Sequence, residues 1–82
     1  SYASKFVRQY KKLSWEIQEL AAKRESIFRQ DPYDSRLKTH KLSGVLDGLH
    51  SFSVNYSYRI IFRFISSKRV LFYEIGDHDI YD

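Results

Sequence analysis

The side chains that could do chemistry are His40, Lys41, Arg59, Arg63, His78 and Tyr81, all in the second half of the chain. Histidine titrates near neutral pH and serves as a general base or acid. Arginine offers a fixed fork of donors to phosphate oxygens. Tyrosine donates a proton or stacks on a base. Together these groups suffice to cut RNA without a metal. A base takes the proton from a 2′-hydroxyl, and the oxygen attacks the adjacent phosphate in line. A cation holds the non-bridging oxygens, and an acid protonates the leaving 5′-oxygen. The chemistry requires convergence, which the order of the strands decides. Taken singly, each residue has a plainer reading: His40 as a solvated surface histidine, Arg59 and Arg63 as an exposed strand face, His78 as a turn residue between aspartates, and Tyr81 as terminal packing. His50 alternates with Phe52 and Val54 and reads as partly buried packing.

The elements that must position these residues follow from periodicity. The run 58–65 places Ile60, Phe62 and Phe64 on one side of a strand, and Arg59 and Arg63 share the other. Leu49 to Asn55 alternates as a half-buried strand, and Val70 to Ile75 forms another. The turns Asn55-Tyr56-Ser57 and Ser66-Ser67-Lys68 are short, so these strands form an antiparallel meander. Arg36 to Leu42 is partly extended, and Ser43-Gly44 breaks it. Upstream, helical spacing predicts two helices, roughly 5–13 and 15–30, with Ser4 and Ser14 as N-caps and Asp31-Pro32 as the stop. Helices first and strands after predict one α+β domain over 1–82, an antiparallel helix hairpin packed on one face of a small, mainly antiparallel sheet.

Composition narrows the function. The chain has 82 residues and no cysteine, which excludes disulfides and thiolate metal sites. Three scattered histidines lack the spacing of a common metal site, so neither metal nor cofactor is expected. There is no glycine-rich phosphate loop and no Gly-x-Ser-x-Gly motif, which argues against nucleotide and serine hydrolases. No apolar run is long enough to span a bilayer, and the expected setting is the cytoplasm. The net charge is +4. Residues 36–69 carry seven Lys and Arg against Asp47 alone, whereas residues 70–82 carry four acids and no Lys or Arg. A basic body of this kind suits nucleic acid better than a membrane.

The segments Arg36-Leu37-Lys38-Thr39-His40-Lys41-Leu42-Ser43-Gly44, Gly48-Leu49-His50-Ser51-Phe52, Tyr58-Arg59-Ile60-Ile61-Phe62 and Ile75-Gly76-Asp77-His78-Asp79-Ile80-Tyr81 carry a resemblance. In this order and spacing they resemble the RelE/ParE toxin superfamily, in its RelE-type branch of YafQ- and YoeB-like mRNA interferases. The resemblance implies a RelE-like fold, with the first strand reduced to Ser1-Tyr2-Ala3. It implies a toxin of a type II toxin–antitoxin pair that cleaves mRNA in the ribosomal A site without metal and is silenced by a bound antitoxin. On matching positions it makes His40 the general base and Arg59 the phosphate ligand. His78 becomes general acid or phosphate ligand, and Tyr81 the terminal aromatic. Arg36, Lys38, Lys41 and Arg63 would bind the RNA backbone. Two alternatives keep the fold: a ParE-type gyrase poison, and a catalytically degenerate module that binds only antitoxin or RNA.

Overall fold

The computed structural model of the chain describes residues 1–77 and 80. Helix α1 spans Ser4–Lys11 and α2 spans Trp15–Gln30. The strands are β1 (His40–Lys41), β2 (His50–Ser53), β3 (Arg59–Ser66) and β4 (Arg69–Gly76). They form one sheet in the order β1-β2-β3-β4, with every neighbour antiparallel. The predicted α+β meander is the observed one.

The helices start and stop for local reasons. Ser14 caps α2, its hydroxyl accepting from the Ile17 amide at 3.4 Å, and Glu16 sits in the favourable first turn. Ser4 is not the cap of α1. Ala3 holds that position without a side-chain bond, and Ser4 is already helical. The first helix also ends two residues earlier than its spacing predicts. The Lys12 and Leu13 amides bond back to the Gln9 and Tyr10 carbonyls, tightening the last turn. Tyr10 and Gln18 then lock the two helices together. The tyrosine hydroxyl donates to the Gln18 carbonyl at 3.0 Å, and the Gln18 amide donates to the Tyr10 carbonyl at 2.8 Å.

The helices cover one sheet face. Phe6, Ala21 and Phe28 meet Phe52, Ile60, Phe62, Phe72 and Ile75 in a continuous core. Phe28 is its hub: it stacks on Phe52 at 4.9 Å and meets Phe62 and Phe72 edge-on at 4.9 and 5.5 Å. Such offset and T-shaped pairs suit the aromatic quadrupole. The expected stub of a first strand is present as a single parallel bridge between Tyr2 and Phe72, and the Ala3 amide donates to the Phe72 carbonyl at 2.9 Å. Tyr2 is tied to α2 by its hydroxyl, which donates to Glu25. Among the described residues, α1 and α2 pack on this face, and the opposite face carries the candidate site.

Candidate RNA-binding site

Strand register fixes which residues share the face opposite the helices. His40 pairs with Ser51, and Ser51 with Ile61. Ser53 pairs with Arg59, which in turn pairs with Gly76. Arg63 lies one step beyond Ile61 on the same side and pairs with Leu71. Directly paired residues point to the same face, and alternation returns every second residue to it. One surface therefore presents His40, Arg59 and Arg63 around a solvent-excluded floor of Ser51 and Ile61, 0% and 1% exposed. From strand spacing and rise, the His40 and Arg59 Cα atoms lie about 12 Å apart.

His40 and Arg59 are each oriented by a hydrogen bond. The His40 Nδ1 lies 3.1 Å from the Lys38 carbonyl. A carbonyl only accepts, so Nδ1 is the donor, and in the neutral ring that places the lone pair on Nε2, as a base requires. The Arg59 guanidinium donates to the Ser53 hydroxyl across the β2–β3 pair. The one acid in the Ile61 row, Glu74, is paired with Lys5 at the sheet edge and is not left to repel an anion. Gly48 packs below Arg63. Its φ is +90°, which favours glycine, and a Cβ there would lie 3.5 Å from an Arg63 guanidinium nitrogen.

The loop before β1 is built around Leu37, which is 0% exposed. Its carbonyl accepts from the Ser53 amide at 2.7 Å, which docks the loop onto β2. The buried anchor leaves Arg36 and Lys38 exposed on either side of it. Lys38 has φ +54°, a left-handed conformation that costs a non-glycine residue about 1–2 kcal/mol. Arg36 forks onto Asp34, with Nε and Nη2 each 2.9 Å from a carboxylate oxygen. Those bonds, with the Arg36 amide, hold the Asp34 carboxyl down at about 2.

A cleft of about 480 Å³ opens where this loop meets the start of β3, and Arg24, Arg36, Lys38 and Arg59 line it with Ser53 and Tyr56. Of the predicted cations, Arg36, Lys38 and Arg59 thus converge, with His40 adjoining through the Lys38 carbonyl. Arg63 stands on the far side of the His40 row. Lys41 falls on the opposite face. It pairs with His50, and its charge helps lower the His50 pKa, although burial of that ring is the larger cause. His50 is packing, as expected: it stacks on Phe62 at 5.5 Å and meets Phe64 edge-on at 5.0 Å. His78 and Tyr81 lie outside the described residues.

Arg24 and Tyr56 were not singled out by the sequence reading. Arg24 did leave a signal, because it interrupts the apolar stripe of α2 formed by Ile17, Leu20, Ala21 and Phe28. Among the described residues, no group of three or more His, Asp or Glu could hold a metal ion. No helix among them is long and apolar enough to cross a membrane.

The sequence matches no protein-family model and no curated protein. Solved structures are similar to it. YafQ from E. coli strain BL21(DE3) superposes with a TM-score of 0.82 at 15% identity, covering 99% of this chain and 93% of that one. A YoeB/ParE toxin from Agrobacterium tumefaciens gives 0.78 at 16% identity over 94% of each chain. A chain of the E. coli DinJ-YafQ toxin-antitoxin complex gives 0.70 at 18% identity, covering 98% of this chain and 91% of that one. The resemblance read from the sequence motifs holds across nearly the whole chain as a likeness of architecture, and the chain has the fold of the YafQ- and YoeB-type toxins.

Proposed function

We propose that this chain is the toxin of a type II toxin–antitoxin pair, a metal-independent endoribonuclease that cuts mRNA in the ribosomal A site and so stops translation. The observation that carries this reading is the placement of His40 and Arg59 on one sheet face beside a cleft lined by four cations. In the proposed reaction, Nε2 of His40 removes the proton from a 2′-hydroxyl. The 2′-oxygen attacks the adjacent phosphorus, and the bond to the 5′-oxygen breaks. The products are a 2′,3′-cyclic phosphate and a 5′-hydroxyl. The Arg59 fork neutralises the non-bridging oxygens as charge builds there. Arg36, Lys38 and Arg63 hold neighbouring phosphates, and Lys41 adds to the positive field. The general acid is assigned to His78, with Tyr81 as the positioning aromatic, on the sequence resemblance alone.

The proposed partner is a cognate antitoxin, as in the DinJ-YafQ toxin-antitoxin complex. An acidic, partly disordered antitoxin segment would complement the basic face. The reading places the protein in the cytoplasm, where translating ribosomes are. The gyrase-poison reading rests on the shared fold and gives His40 no task, whereas cleavage uses a ring whose Nδ1 side is held by the Lys38 carbonyl. The test is message half-life in a bacterial translation extract. Added toxin should shorten it, and blocking initiation should restore it. An unchanged half-life with retained toxicity would count for a gyrase-type target instead.

A further inference from the structure

Two features of the cleft have no task in the reaction above. Tyr56 stands at the rim, 93% exposed, yet the backbone beneath it is fixed. The Asn55 side-chain oxygen accepts from the Ser57 amide at 2.9 Å and from the Tyr58 amide at 2.8 Å. The Val54 amide closes the turn onto the Tyr58 carbonyl at 2.9 Å. An aromatic ring in water on a rigid turn gains nothing for the fold by its position. Arg24 crosses from α2 to the same cleft. Its Nε donates to the Val54 carbonyl at 3.2 Å and its Nη1 to the Arg36 carbonyl at 3.3 Å. Those bonds hold the guanidinium in place between the loop and the turn, and the remaining donors of the fork are left for a ligand.

We propose that Arg24 and Tyr56 form a second nucleotide subsite, in which Arg24 binds a phosphate of single-stranded RNA next to the one held by Arg59 and Tyr56 stacks on the unpaired base attached to it. The inference deepens the RNA-cleavage reading by naming how a flanking nucleotide is gripped. Cation and ring complement the two parts of one nucleotide. Every base has a π-face, so the subsite grips without regard to sequence. An acidic peptide would use the cations of the cleft but not the face of the ring.

The test uses the purified full chain and a short 2′-O-methyl RNA carrying 2-aminopurine. Its blocked 2′-oxygens prevent cleavage, so the result does not depend on whether the chain is a nuclease. Binding is followed by fluorescence quenching and by anisotropy across a salt series. The parent should quench the probe. Tyr56→Ala should weaken binding roughly 5- to 100-fold and abolish quenching, with the salt slope unchanged. Tyr56→Phe should behave as the parent. Arg24→Gln should lower the salt slope by about 0.7 and keep quenching at saturation, and Arg24→Lys should restore the slope. Circular dichroism confirms that each variant is folded. Parental binding and quenching by Tyr56→Ala would overturn the subsite. So would Tyr56-dependent binding of polyglutamate by a chain that ignores the oligonucleotide. Binding of the probe as expected, with no cut in unmodified RNA on translating ribosomes, would keep the subsite and discard the nuclease.

Discussion

His40 and Arg59 point to the same face of the sheet, two strands and two residue positions apart. His40 sits on the edge strand, and Arg59 opens the long inner strand β3. The floor between them, Ser51 and Ile61, excludes water. The two side chains flank a covered floor, and Arg59 also lines the cleft beside it.

The fork of Arg59 should matter as much as its charge. Arg59→Ala should slow single-turnover cleavage about 10²- to 10³-fold, the range for loss of one charge-stabilising donor set. Arg59→Lys should recover only part of the rate, because an ammonium lacks the planar fork. Thermal unfolding of both variants should stay close to the parent, since Arg59 lies outside the aromatic core. Full activity in Arg59→Lys would show that a point charge is enough.

Lys38 should be held in place at a cost to stability. Its left-handed backbone suits glycine, so Lys38→Gly should stabilise the chain by about 1 kcal/mol, raising Tm by roughly 4–8 °C. The same change should weaken oligonucleotide binding, because a cleft cation is lost. Lys38→Ala should weaken binding without the gain in Tm. A less stable Lys38→Gly variant would show that the backbone strain is relieved in some other way.

Asp34 should restrain Arg36. Its carboxyl, held down at about 2 from 3.8 by the Arg36 fork, stays ionised across the neutral range. What the pair adds to stability is fully present above pH 3.8 and is lost as pH falls toward 2. Asp34→Asn should release the guanidinium toward RNA, tighten oligonucleotide binding and steepen its salt slope by about 0.7. An unchanged slope would mean that Arg36 does not reach the phosphates.

His50 should make stability pH-dependent. Burial against Phe62 and Phe64, then the charges of Lys41 and His40, push its pKa below the ordinary 6.5. Its buried Nδ1 finds no hydrogen-bond partner among the described residues. The unfolded chain therefore binds the His50 proton more readily than the folded one. The stability this confers is complete above pH 6.5 and is lost as pH falls through the lowered value. Tm should be level from pH 8 to 7 and drop toward pH 5.5, and His50→Phe should flatten that drop. An equal drop in both proteins would assign it to other groups.

Much of this was legible in the sequence because the strong signals were periodic. The alternation in 58–65 correctly separated Phe62 from Arg59, and the stripe of α2 correctly marked Phe28 as core. Ser14 is legible as a cap because its hydroxyl precedes an amphipathic run. Ser4 offered the same signal, but Ala3 took the cap position as the chain paired with β4. The loop 36–39 was not legible. Its shape depends on burying Leu37 under β2 and on a left-handed Lys38, and neither has a periodic signature. The cleft was missed for the same reason, since Arg24 reaches it from a helix, more than thirty residues before Tyr56.

The most direct test of the central claim is primer extension on a translated message after induction of this chain, compared with His40→Ala. The account predicts cuts that appear only on translating messages and disappear in the folded variant, with the rate lowered about 10²- to 10⁴-fold. Cuts of parental strength in His40→Ala would contradict the assigned base. Growth arrest without any cuts would contradict RNA cleavage altogether.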